Sequence, residues 1–258
     1  MSLVYAVVNQ KGGVGKTTTA VNLSAALADA GRRVLLIDCD PQANATRSVG
    51  YADTPEHSLY DLLVDAEHVS LSDATVGTGT AGLSLVPSSA ALAGAEVELV
   101  NLWGRETRLR QALEAAQGQY DYILMDCPPS LGLISVNALV AAQGVLVPVQ
   151  CEYLSLEGLG MLMRTLELVQ RRLNPALVVS GLIMTMFDPR TRLSSEVVAE
   201  VGRHFPQQRF DTVIPRNIRL SEAPSYGETV LQYAAVSPGA VAYRALAAEL
   251  MHRFEPPA

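Results

Sequence analysis

The sequence predicts an α/β protein: one domain built on a mostly parallel, twisted sheet with helices on both faces. Three observations carry this. Short apolar runs rich in β-branched residues read as strands buried on both faces, and they alternate with segments of helical periodicity along the 258 residues. Three of those runs also end in an acidic or glycine-rich motif, as expected where a parallel sheet opens a ligand site beyond the C-terminal ends of its strands. Apolar residues make up 49% of the chain and charged residues 17%, enough for a large core.

In chain order, residues 3–8 form the first buried strand. Lys11 to Thr18 is a glycine-rich loop, and Ala20, Leu23, Leu27 and Ala30 then recur at helical spacing, with Gly31 at the C-terminal cap. A second strand over 33–37 ends in Asp38-Cys39-Asp40-Pro41-Gln42. Residues up to about Gly82 are less regular, with a short helix predicted over 58–64 and a Gly/Thr-rich loop over 77–82. A strand over 83–87 is followed by a helix over 96–117, with Leu99, Leu102, Leu109 and Leu113 on one face. The strand over 120–125 ends in Asp126-Cys127-Pro128-Pro129, where the prolines stop regular structure. Further strands are predicted over 145–149, 177–186 and 212–214, and helices over 156–173, 194–205 and 239–254, the last bounded by Pro238 and Pro256.

Composition narrows the setting. No apolar run reaches the roughly 18 residues of a membrane span, and Met1 leads straight into a strand-like segment, so a cytoplasmic protein is expected. Three cysteines, Cys39, Cys127 and Cys151, argue against a disulfide framework. The net charge of −7 opposes general attraction to DNA or anionic membrane. Residues 188–219 are the exception, with six arginines against four acids, so contact with a polyanion would be local.

The loop carries the chemistry. Gly13, Val14, Gly15, Lys16, Thr17 and Thr18 supply the end of a G-x-x-x-x-G-K-[ST] phosphate cradle: backbone N–H groups close on phosphate oxygens, Lys16 adds charge, and the Thr17 hydroxyl can face Mg²⁺. The first glycine of that pattern is replaced by Gln10, and an additional lysine, Lys11, stands next to it. Asp126, at the end of a downstream strand, is the expected Mg²⁺-orienting carboxylate. Asp38 and Asp40 share a face in an extended segment; two carboxylates near Mg²⁺ and phosphate suit water positioning, with Asp40 the better placed and Asp38 nearer the metal.

These motifs resemble the ParA/MinD family of deviant Walker-motif ATPases, and within it the short chromosomal Soj-type ParA members. The resemblance rests on Lys11 to Thr18, Asp38 to Gln42, Asp126 to Ser130, Pro148 to Tyr153, Thr185 to Thr191 and Ile214 to Pro224. It implies a P-loop NTPase fold, slow Mg²⁺-dependent ATP hydrolysis, and an ATP-bound homodimer. Lys11 would then reach phosphates held by the other subunit, Gly12 would lie where facing backbones approach, and Glu152 would reach a nucleotide ribose across the interface. Pro215 and Asn217 match the adenine-contacting loop. Arg190 and Arg219, with Arg192 and Arg216 as neighbours, match two basic loops that bind DNA without sequence preference. A ParB-type centromere-binding protein would stimulate hydrolysis, and the protein would associate with the nucleoid. With the phosphate loop at residue 11, no N-terminal helix-turn-helix domain is expected.

Two rivals are weaker. A MinD-like membrane regulator needs a basic amphipathic tail, whereas this chain ends Met251-His252-Arg253-Phe254-Glu255-Pro256-Pro257-Ala258. A metal-carrying relative needs cysteines presented at an interface, but Cys39 and Cys127 lie inside strand-end motifs and there is no C-x-x-C.

Overall fold

The computed structural model describes residues 2–116, 118–153 and 155–255. The first half contains β1 (Leu3–Val7), α1 (Lys16–Asp29), β2 (Val34–Asp38), α2 (Asn44–Ser48), α3 (Leu59–Val64), β3 (Val76–Gly77), β4 (Leu83–Val86), α4 (Leu92–Glu98), α5 (Arg108–Glu114) and β5 (Tyr122–Asp126). The second half adds α6 (Leu133–Ala141), β6 (Gly144–Gln150), α7 (Ser155–Arg172), β7 (Val178–Phe187), α8 (Arg192–His204), β8 (Arg209–Pro215), α9 (Arg219–Glu222), α10 (Val230–Tyr233) and α11 (Pro238–Phe254).

The strands form one sheet in the order β3-β4-β2-β5-β1-β6-β7-β8, parallel except for the short hairpin partner β3. Alternating side chains go to opposite faces. Leu35, Ile37, Ile123 and Met125 pack toward Leu59, Leu62, Leu139 and Leu162 on one side. Val34, Leu36, Tyr122 and Leu124 pack toward Leu23, Leu27, Tyr243 and Leu246 on the other. This is the doubly covered parallel sheet that the alternating pattern predicts.

Most predicted strands and helices are present within a few residues, but the helix expected over 96–117 is not one helix. It is α4, a 3-10 turn over Leu99–Asn101, a loop, and α5. Gly104 takes φ +64, and Asn137 of α6 accepts from Leu109 N–H and donates to the Arg105 carbonyl, so a tertiary partner replaces helical hydrogen bonds there. Leu99, Leu109 and Leu113 are still buried, because both pieces turn the same side inward. Gln117, and the tail residues 256–258, lie outside the described residues. The helix α6 is apolar nearly all round and buried, so it shows no amphipathic stripe in the sequence. The extended segment predicted over 212–214 is the longer strand β8.

Register places the chemistry. Val7 and Asp38 both pair with Asp126, so β1, β2 and β5 end level with one another. Phe187 pairs with Pro215, so the loops after β7 and β8 emerge side by side on the same edge.

Candidate nucleotide site

The loop after β1 turns back through Gly13 at φ +74 and Gly15 at φ +91, conformations that favour glycine. Gly15 is the N-cap of α1, so Lys16, Thr17 and Thr18 form the first helical turn, where free N–H groups and the helix dipole suit an anion. Two side chains to which the sequence assigns no role hold this loop. Asn9 donates to the Pro148 carbonyl at 2.7 Å and accepts from Lys11 N–H at 3.0 Å. Thr185 donates from its hydroxyl to the Val14 carbonyl at 2.8 Å. Each spans the β1–β6–β7 end of the sheet.

Lys16 is 7% exposed, and its Nζ donates to the Lys11 carbonyl at 3.3 Å. Burial lowers its pKa, opposed by the charges of Asp126 and Asp40. Asp126 is fully buried, and neither of its oxygens has a hydrogen-bond partner among the described residues. Burial and the neighbouring Asp38 push its carboxyl well above the usual carboxylate range, while the Thr17 hydroxyl and Lys16 pull the other way. An orphaned buried carboxylate facing a threonine hydroxyl fits a hard divalent cation that completes its shell with water and phosphate oxygens. Among the described residues no three His, Cys, Asp or Glu side chains gather as a metal site of their own.

Asp38 is committed differently. Its Oδ1 accepts from Asp40 N–H at 3.1 Å, and its Oδ2 accepts from Thr46 N–H at 2.8 Å and the Thr46 hydroxyl at 2.7 Å. Burial nevertheless raises its pKa to about 6. Asp38 thus anchors the 38–46 loop, and the uncommitted oxygens beside the phosphate loop belong to Thr17 and Asp126. Asp40 is half-buried, and its Oδ1 accepts from Gln42 N–H at 2.9 Å.

A cavity of about 300 Å³ adjoins the loop, lined by Gly15, Thr18, Met186, Pro215, Arg216, Asn217 and Tyr243 among others. Pro215 and Asn217 are thereby joined to the phosphate loop, in a space suited to a planar base. Glu152, just beyond β6, accepts from the Gln150 amide at 2.7 Å and lies 3.8 Å from Lys11 and 3.7 Å from Arg216.

The other arginines stand on the paired loops after β7 and β8. Arg190 donates to both oxygens of Asp188, holding that carboxyl at about 2. Arg192 pairs with Glu196 at 2.8 Å and Arg219 with Glu222 at 2.7 Å. All three are exposed. The cysteines are free and buried, and no described helix is long and apolar enough to cross a membrane.

Glycine-rich phosphate loop, level strand-end aspartates and base-sized cavity on a doubly covered parallel sheet define a P-loop nucleotide-binding protein. Comparison narrows the class. A family described as "AAA domain" matches residues 2–179. The chain is 51% identical over 252 residues to the sporulation initiation inhibitor protein Soj of Bacillus subtilis, covering 97% of this chain and 98% of that one. It is 51% identical over 253 residues to the chromosome partitioning protein ParA of Caulobacter vibrioides, with 97% and 94% covered. A Mycobacterium smegmatis structure named cobyrinic acid a,c-diamide synthase, with bound ADP and magnesium, superposes with a TM-score of 0.84 at 40% identity, covering 98% of this chain and 95% of that one. The chain belongs to the ParA/MinD family of P-loop ATPases, among its Soj and ParA chromosome-partitioning members.

Proposed function

We propose that the chain is a DNA-partition ATPase of chromosome or plasmid segregation. It binds ATP with Mg²⁺, pairs as a homodimer in that state, binds double-stranded DNA without sequence preference, and is returned to the free state when a ParB-type partner stimulates hydrolysis. The observation that carries this reading is the loop after β8. Pro215 and Asn217 line the cavity beside the phosphate loop, and Arg216 and Arg219 of the same turn lie on the basic surface. A nucleotide that orders this loop acts on the polyanion surface without a separate relay. The name of the M. smegmatis protein describes a small-molecule synthesis; paired basic loops on an acidic chain serve no evident need of that chemistry, and the B. subtilis and C. vibrioides relatives, at 51% identity, carry sporulation and partition names.

In this reading Lys16 and the N–H groups of residues 13–18 hold the phosphates, and Thr17 and Asp126 hold the metal. Mg²⁺ when bound supplies charge neutralisation at the phosphate oxygens. Asp40 orients the attacking water, Lys11 and Glu152 act across the dimer, and the protein works in the cytoplasm on the nucleoid. The test is binding of a random duplex by fluorescence anisotropy with ATP, with ADP and without nucleotide, at several salt concentrations. Binding restricted to ATP and falling steeply with salt is expected; equal binding in all three states, or none, contradicts the proposal.

A further inference from the structure

Each of the four arginines on the basic edge faces an acid. For Arg190, Arg192 and Arg219 the acid is a neighbour in the same loop or helix, two to four residues away. Arg216 differs, because its acid, Glu152, comes from the end of another strand and also faces Lys11 of the phosphate loop. Oε1 lies 3.7 Å from Arg216, and Oε2 lies 3.8 Å from Lys11. Neither pair closes a hydrogen bond; the side-chain hydrogen bond that Oε1 accepts comes from the Gln150 amide at 2.7 Å. The Glu152 side chain is 45% exposed, so these are solvent-accessible, exchangeable ion pairs.

We infer that Glu152 is an autoinhibitory anion that joins the two phosphate-binding regions: in the nucleotide-free chain it occupies Lys11 and Arg216 in place of nucleotide and DNA phosphates, and its withdrawal frees both. The inference rests on the function proposed above for the identity of the two ligands. A carboxylate and a phosphate compete for the same guanidinium fork. DNA approaching Arg216 must therefore displace Glu152 or accept a like charge beside the contact. If Glu152 turns to the nucleotide in the ATP-bound dimer, it leaves both cations together. By linkage, DNA that occupies Arg216 favours that turned position and tightens the ATP state in return.

The test uses full-length protein without nucleotide and the same random duplex at low salt, where phosphate contacts count most and the weak residual binding of the nucleotide-free state can be measured. Glu152→Gln keeps the carbonyl that accepts from Gln150 and removes the charge. It is expected to bind DNA about two- to five-fold tighter than wild type, the range of an exposed ion pair. The gain is expected to disappear when Glu152→Gln is compared with the unaltered residue in an Arg216→Gln background. No gain, or the same gain in that background, overturns the inference, since the second result is bulk charge removal alone. The parent reading fails separately, if wild-type protein binds no DNA with ATP; ATP-restricted wild-type binding without a Glu152→Gln gain overturns the autoinhibition only.

Discussion

Asp126 and Asp38 lie directly opposite each other on neighbouring strands, both fully buried. Burial raises both carboxyls, Asp38 to about 6 and Asp126 well above the usual carboxylate range, and the charges of Asp38 and Asp40 add to the rise at Asp126. A folded-state pKa above the unfolded value means the folded chain holds more protons between pH 4 and the raised values, so this contribution to stability is lost as pH rises through that window. Asp126→Asn removes one of the two acids. In Mg²⁺-free buffer its thermal stability relative to wild type is expected to improve from pH 5 to pH 8, read as a rise in its Tm relative to that of the wild type. An unchanged difference at the two pH values would contradict the carboxylate pairing. Both aspartates are legible in the sequence because each closes an apolar strand, whereas what Asn9, Thr46 and Thr185 do is not. Their roles are hydrogen bonds to a carbonyl or carboxylate brought near only by folding, across 139 residues for Asn9 and 171 for Thr185.

At the scale of elements, the break between α4 and α5 connects to the strand-end motif of β5. Glu96 of α4 accepts from Leu133 N–H at 2.9 Å and Ile134 N–H at 3.3 Å, capping α6 directly after the Asp126 to Ser130 segment. Gly132 leaves room for it: a Cβ there would meet a Glu96 oxygen at 2.3 Å. Glu96→Ala leaves two helix-start N–H groups without that acceptor and is expected to cost about 1–2 kcal/mol in urea unfolding, with Glu96→Gln recovering part of the loss. An unshifted midpoint for Glu96→Ala would show that water caps the helix equally well. The leucine spacing over 99–113 correctly marks inward-facing residues but cannot reveal that Asn137, about thirty residues away, takes over the backbone groups that end the helix. Sequence periodicity reports burial; it does not report which partner satisfies a backbone N–H.

For the whole molecule, alternation predicts a parallel doubly covered sheet but carries no information on strand order, and the adjacency of the β7 and β8 loops follows from that order. Adjacency turns four arginines scattered over thirty residues into one edge of a chain whose net charge is −7. The phosphate loop raises the corresponding question of what lies outside a single chain. Gly13 and Gly15 need glycine for their backbone angles, but Gly12 is exposed, has no left-handed φ, and a Cβ added there meets nothing within 4 Å. A single subunit therefore sets no steric requirement at Gly12; in the proposed dimer the requirement comes from the facing loop. Gly12→Val is accordingly expected to fold with a Tm close to wild type and to bind ATP, yet to sediment as a monomer under ATP conditions that dimerise the wild type. It should also lose the DNA binding that depends on two basic edges acting together. An ATP-dependent dimer formed by Gly12→Val would remove Gly12 from the interface, and loss of ATP binding with the fold intact would place its role within the subunit's own cradle.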